Sequence, residues 1–138
     1  MAKSSIKRVA GSLDTNVLLR YVLHDIPQQS KMIDTMLAQG AVYAVEDSAL
    51  FEMMYVLEKV YLLDRYAVAE NVYAIIRSNS FRSQAAFFEM MLPLYIKEHA
   101  LSVIDCALLV YARFHTITPL KTFDKDIVRL SRGDASTP

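Results

Sequence analysis

The chain has few of the features that direct a protein to an oxidising compartment, a membrane or a thiolate metal site. It contains one cysteine, Cys106. A single thiol excludes an intramolecular disulfide and a cysteine-based zinc site, and it fits a reducing compartment. Cys106 lies in an apolar helical segment and reads as a small core residue rather than a nucleophile. His24, His99 and His115 follow no zinc-ligand spacing. Net charge is absent too: fifteen Lys plus Arg balance fifteen Asp plus Glu. The overall charge therefore argues neither for nor against a nucleic-acid partner, and any basic surface must be local. No apolar run approaches the roughly 18 residues that span a bilayer. The basic residues Met1 to Ala10 lead into no apolar secretion segment. A soluble, cytoplasmic protein with no membrane partner is the expectation.

What remains is an apolar chain of 138 residues, 54% hydrophobic, with mean hydropathy +0.22. That composition excludes intrinsic disorder and suits one domain over 1–138, large enough to bury roughly two-thirds of its unfolded surface. The ordered core is expected over about 8–131, with Lys3, Ser4, Ser5 and Lys7 as a frayed lead-in and Ser131 to Pro138 as a loose tail.

Residues 8–13 read as a short buried strand and Thr15 to Leu23 as a helix. Pro27 suits the first turn of a second helix that Gly40 ends. Ala41 to Val45 reads as a strand, and Asp47 or Ser48 can cap a helix running to about Leu63. Tyr66 to Arg77 has an amphipathic helical pattern. Ser78 to Ser83 reads as a turn. Ala85 to Glu98 is ambiguous, because Ala85-Ala86-Phe87-Phe88 could be strand and Pro93 bends or starts a helix. Leu101 to Phe114 is apolar nearly all round, which predicts a buried helix. A strand over Thr118 to Phe123 and a short helix from Lys125 to Leu130 follow. Strands alternating with helices, without repeat or linker, indicate one α/β domain with a largely parallel sheet. Ligands in such sheets bind beyond the carboxyl ends of the strands.

Against this background four acids stand alone: Asp14, Glu52, Asp105 and Asp124. An isolated ionised carboxylate costs several kcal/mol or more to bury, and four of them cannot neutralise one another. A shared divalent cation would resolve the conflict. Each acid also has a plainer reading. Asp14 and Asp124 follow predicted strands and could simply cap helices. Glu52, wedged among Ala49, Phe51, Met53 and Met54, could be a surface residue, while Glu58 and Lys59 look like solvated charge. Asp105 could be a buried, hydrogen-bonded Asp holding a loop. Asp126 is an alternative to Asp124, and Thr122 shares the strand face of Asp124. Taken together the set suits a hard cation such as Mg²⁺, which takes oxygen ligands at about 2.0–2.1 Å. Paired ions of this kind stabilise attacking and leaving oxygens in phosphodiester cleavage.

The segments SLDTNVLLRYVL, ALFEMMYVLEKVY, LSVIDCALLVYAR and PLKTFDKDIVRL resemble the four acidic motifs of PIN domains, particularly the VapC-like toxin ribonucleases. The resemblance covers about 9–131, in the family's motif order; Phe81 to Glu98 matches no motif. It implies a three-layer α/β/α sandwich with a central, mostly parallel sheet, and a Mg²⁺- or Mn²⁺-dependent endonuclease acting on RNA. It assigns the metal to Asp14, Glu52, Asp105 and Asp124, with Asn16, Thr122 and Asp126 as supporting polar residues. A metal-bound hydroxide attacking in line would leave 5′-phosphate and 3′-hydroxyl ends. Many relatives are homodimers inhibited by a small antitoxin encoded beside them.

RNA contact would need a basic rim, for which Arg20, Arg113, Lys121, Lys125 and Arg129 are candidates beside ordinary surface charge. Tyr55, Tyr61, Tyr66 and Tyr73, with Met53, Met54, Met90 and Met91, read as core or dimer interface rather than a base-stacking platform. A haloacid-dehalogenase-type phosphatase also begins with an Asp after a strand, but it needs a second acid where Asn16 stands. A PIN-like module that binds RNA or protein without cutting, and a housekeeping RNA-processing nuclease, are the remaining alternatives.

Overall fold

The first apolar run forms β1 (Val9–Ser12), and Asp14 starts α1 (Thr15–Leu23) by accepting a hydrogen bond from the Val17 amide. Capping of this kind satisfies an amide that the helix itself leaves open. Pro27 opens α2 (Pro27–Ala38) at a position where its missing N–H costs nothing. Gly40 follows that helix at φ 82°, a left-handed conformation that glycine adopts without a Cβ clash. Next come β2 (Val42–Ala44), α3 (Asp47–Lys59) and α4 (Arg65–Ile76), the last capped by Asp64. The chain continues through β3 (Phe81–Arg82), α5 (Ala85–Lys97), α6 (Val103–Phe114), β4 (Leu120–Lys121), α7 (Lys125–Leu130) and β5 (Ala135–Ser136). This is a computed structural model, and it describes residues 8–138. The lead-in expected at Lys3 to Lys7 lies outside the described residues.

The α/β class and the central parallel sheet are as expected. β1, β2 and β3 pair in that order, all parallel. The register aligns Ser12 with Ala44 and Ala44 with Arg82, so the three strands end on one edge. Two further bonds extend the edge, from the Leu13 amide to the Ala44 carbonyl (3.0 Å) and from Val45 to Arg82 (2.8 Å). The strand expected over Thr118 to Phe123 is shorter, and β4 pairs in parallel with β5 as a separate two-stranded sheet.

The core is largely helical. Leu18, Leu50, Met53, Met54, Leu57, Val72, Ile75, Phe87, Phe88, Met91, Leu92, Tyr95 and Leu109 are fully enclosed. Each such side chain contributes about 1.5–3 kcal/mol relative to an exposed one. The Phe87 ring stacks on Tyr111 at 4.1 Å between centroids and meets Phe88 edge-on at 5.2 Å. Cys106 is buried in this core, and burial pushes its thiol up to about 12.

Several expectations need correction. Ser78 to Ser83 is not all turn, since Phe81 and Arg82 form β3. Ala85 to Lys97 is one helix with Pro93 inside it. Phe87, Phe88, Met91, Leu92 and Tyr95 all face inward at helical spacing while Pro93 is exposed. That stripe offsets a proline penalty of about 3 kcal/mol. The tail is not loose: Ser131 is fully buried and Ala135 joins a strand. α6 is not enclosed all round either, because Ile104 and Leu108 are exposed. Met53, Met54 and Met91 are core, whereas Tyr55, Tyr61, Tyr66 and Met90 are exposed. Among the described residues, no helix is long and apolar enough to cross a membrane.

Candidate active site

At the carboxyl end of β1, the chain turns into α1 through Asp14, Thr15 and Asn16. Asp14 and Asn16 are exposed; with Val17, Arg20, Gln29, Met32 and Ile33 they line a cavity of about 370 Å³. Thr15 points the other way. It is buried, and its hydroxyl donates to Glu52 Oε2 at 2.9 Å. Glu52 stands on α3 and is itself exposed. It shares a second cavity, of about 440 Å³, with Ser48, Phe51 and Tyr55 on one side and Ser102, Val103 and Ile104 on the other. Ser102 is the N-cap of α6 and is locked to Asp105 in both directions. The Ser102 amide donates to Asp105 Oδ2 (3.0 Å), and the Asp105 amide donates to Ser102 Oγ (3.1 Å). This reciprocal pair is a capping box. Thr15, beside Asp14 in the turn, is thus bonded to Glu52, which faces across a shared cavity the Ser102–Asp105 pair.

Asp124 caps α7. Its Oδ1 accepts from the amides of Asp126 (2.9 Å) and Ile127 (3.0 Å), and the Asp124 amide donates to Thr122 Oγ1 (3.0 Å). Asp126 pairs with Arg129 at 2.8 Å. No hydrogen bond or ion pair among the described residues joins Asp124 to the other three acids.

The electrostatic premise changes with these positions. Asp14, Glu52 and Asp124 are exposed, and Asp105 is half-buried at the third position of its helix rather than in the middle. None of them carries a large burial penalty. Their common feature is a different one. Each commits a single oxygen to the fold: Oδ1 of Asp14, Oε2 of Glu52, Oδ2 of Asp105 and Oδ1 of Asp124. The second oxygen of each has no hydrogen bond, and none of the four has a basic partner, among the described residues. A carboxylate has about four lone-pair sites, so capping and ligation are compatible roles for one residue.

As donors these oxygens suit a hard divalent cation in kind. In arrangement they do not: among the described residues, no three His, Cys, Asp or Glu side chains are gathered closely enough to hold a metal ion.

The expected basic rim is largely committed elsewhere. Arg20 pairs with Asp25 (3.0 Å) and donates to the Tyr61 hydroxyl (3.2 Å). Arg113 pairs with Asp134 (2.7 Å) and donates to the Ser131 carbonyl, fastening α6 to the residues before β5. Arg129 is held by Asp126, and Lys121 donates to Ser136 Oγ (3.0 Å). Lys125 has no such partner among the described residues. Ser102 escaped the sequence reading, although Ser102-Val103-Ile104-Asp105 carries a capping-box pattern. From the sequence Thr15 stands as the start of a helix; its hydrogen bond is what ties Glu52 to the turn after β1.

The four acids and the two cavities beside them fall within a single family match: residues 12–133 fit the model of the PIN domain. The chain is a PIN domain. No curated protein and no solved structure matches it. PIN domains are generally nucleases and generally use divalent metals. The match takes in both cavities, the turn after β1 and all four acids.

Proposed function

We propose that this PIN domain is an endoribonuclease that hydrolyses RNA phosphodiester bonds with Mg²⁺ or Mn²⁺, and that it is the toxin of a toxin–antitoxin pair. The observation that carries the reading is the half-committed state of Asp14, Glu52, Asp105 and Asp124. Each is anchored through one oxygen, and the other has no hydrogen bond among the described residues. These four residues are the ligands the reading requires, and they would have to close around the ion, because among the described residues no three of them are gathered. When bound, it would supply Lewis-acid activation of water and neutralise charge developing on the phosphate. The chain's own residues do the positioning. The Thr15 hydroxyl orients Glu52, the Ser102 amide fixes Asp105, and the Thr122 hydroxyl steadies the Asp124 turn. Asn16 adds an exposed amide beside Asp14.

The test is RNA cleavage with Mg²⁺ or Mn²⁺ by the wild type, Asp14→Asn and Asp105→Asn. Cleavage by the wild type alone is expected. Equal cleavage by all three would remove the metal-site assignment. No cleavage by any, with RNA still bound, would favour the second reading, a PIN domain that binds without cutting. That reading draws on one observation, the ungathered acids. We further propose a cytoplasmic homodimer restrained by an antitoxin. Exposed Tyr55 and Ile104 at the cavity beside Glu52, with exposed Leu108 one turn along α6 from Ile104, supply apolar surface for such a partner. Sedimentation of the purified chain, and an adjacent reading frame whose product blocks cleavage, test these two partners. A lone gene with intact cleavage would point to housekeeping RNA processing.

A further inference from the structure

The carboxyl edge of the sheet does not end at Asp14. Ser12, Ala44 and Arg82 are in register, so the residues leaving β2 and β3 open on the same edge as the turn after β1. Between them lies a cavity of about 250 Å³ lined by Ala44, Val45, Glu46, Asp47, Arg82, Ser83 and Gln84. Three observations there are independent of the four motif acids. Arg82 is exposed, and its guanidinium makes no hydrogen bond or ion pair among the described residues, unlike Arg20, Arg113 and Arg129. Ser83 Oγ is a buried side-chain oxygen with no hydrogen-bond partner. Buried hydroxyls are ordinarily satisfied, so an orphan facing a cavity marks a place for a ligand or water. The N-termini of α3 and α5 both open here, and neither Glu46 nor Gln84 makes a side-chain cap bond. The Ala49 amide turns back to the Glu46 carbonyl (3.1 Å), while the positive dipole ends of both helices carry no side-chain cap at this cavity.

Two acids belong to the same wall. Asp47 is already engaged, since its Oδ2 accepts from Gln84 Nε2 (3.1 Å) and from the Tyr111 hydroxyl. Glu46 is exposed, has no such partner among the described residues, and opposes an anion.

Resting on the ribonuclease reading, we propose that this cleft seats the backbone of the RNA strand beside the bond being cut, with Arg82 and Ser83 contacting a phosphate. Strands in a sheet lie about 4.8 Å apart, so the end of β3 is roughly 10 Å from that of β1, on the order of two or three phosphate spacings along a stacked strand. Arg82 supplies the positive charge that the acidic turn after β1 lacks. Because Arg82 is exposed and its side chain makes no hydrogen bond or ion pair among the described residues, its replacement leaves the melting temperature unchanged.

The experiment measures affinity of the full chain for a labelled single-stranded RNA across a KCl series. The Asp14→Asn background with Mg²⁺ present keeps the RNA intact. Arg82→Ala is expected to weaken binding three- to tenfold, and to lower the slope of log affinity against log salt by about 0.7, the loss of one single-strand phosphate contact. Arg82→Lys restores most of the slope, Glu46→Gln tightens binding, and Arg77→Ala, whose guanidinium is already paired with Glu89, changes neither. In wild-type cleavage, Arg82→Ala raises KM and spares kcat. An unchanged affinity and slope in Arg82→Ala, with the parent protein binding RNA, overturns this proposal alone. RNA that fails to bind the parent protein overturns the ribonuclease reading and this proposal with it.

Discussion

Glu52 and Glu58 stand six positions apart on one helix and do opposite things. Glu52 is exposed, takes one hydrogen bond from Thr15, and keeps its other oxygen open toward the cavity it shares with Ser102. Glu58 has a side chain only 15% exposed and spends both oxygens internally. Its Oε1 meets Arg65 Nε at 3.3 Å and Lys59 at 3.6 Å, and its Oε2 accepts from the Tyr95 hydroxyl at 2.7 Å. Arg65, 9% exposed, lies 4.4 Å over the Tyr95 ring and donates to the carbonyls of Tyr95 and Glu98. The network joins α3, α4 and α5. An acid with every oxygen used is structure, whereas an acid with one oxygen left can bind. The sequence suggests the reverse order of burial, because Glu52 sits among apolar residues and Glu58 beside a lysine. Helix phase decides it: six residues advance about 240° beyond a full turn, so the two carboxylates face different ways.

The sharpest way to break this comparison is to neutralise each acid in turn. Glu52→Gln is expected to lower RNA cleavage by about 10²-fold or more, the scale of a lost transition-state electrostatic contact, with little change in the urea midpoint. Glu58→Gln should do the opposite. It leaves cleavage within a few-fold while costing about 2–3 kcal/mol of stability, the range for hydrogen bonds to a charged group. If Glu58→Gln proved as stable as wild type, the α3–α4–α5 network would not be the fastening described here.

Acid titration of stability sharpens the same contrast. Burial acts to raise the Glu58 carboxyl, but the Tyr95 hydroxyl, the Arg65 and Lys59 charges and the Arg65 hydrogen bond outweigh it, holding the group below its ordinary 4.5. Burial and the Glu58 charge push the Tyr95 hydroxyl up. A carboxylate whose folded pKa is depressed stabilises the fold fully above its unfolded value. That contribution is lost as pH falls through the folded one. The urea midpoint of the wild type should therefore fall as the pH drops below about 4.5. In Glu58→Gln this part of the decline should flatten, and an identical profile would assign the acid sensitivity to other groups.

The fold was legible wherever local chemistry agreed with the final packing. Pro27 and Gly40 bounded α2, the strand-ending Asp14 and Asp124 capped the helices that follow, and the apolar runs gave β1 and β2. It was illegible where tertiary contacts overrode a local signal. Ala85-Ala86-Phe87-Phe88 and Pro93 leave ambiguous a segment that five inward-facing side chains hold as one helix, and β3 is two residues long, too short to show a period. Missing β3 concealed Arg82. The family was legible through the order of the four acids, but the first clue to the candidate site was wrong in kind. Asp14, Glu52 and Asp124 are exposed and Asp105 is half-buried, and Glu52 shows that apolar neighbours in sequence do not report burial on a helix. Arg20 and Arg113 flank the motifs in sequence, yet in space they meet Asp25 and Asp134. Partner choice at that distance is fixed by the fold.

The smallest expected effect tests whether Glu52 must be held at all. Thr15→Val keeps the buried volume and removes the hydroxyl that donates to Glu52 Oε2. It should cost about 1 kcal/mol or less in stability, the net value of one hydrogen bond. If orientation of Glu52 matters, kcat for RNA falls several-fold while KM holds, because the carboxylate remains charged but loses its fixed position. Thr15→Ser, which restores the hydroxyl without the methyl, should recover most of kcat even if it recovers little stability. A purely structural role for Thr15 would give the opposite pattern: Val tolerated in cleavage, and Ser slightly worse than Val through the lost methyl packing. The Ser variant thus separates positioning of the acid from packing of the helix, which stability measurements on either variant alone would confound.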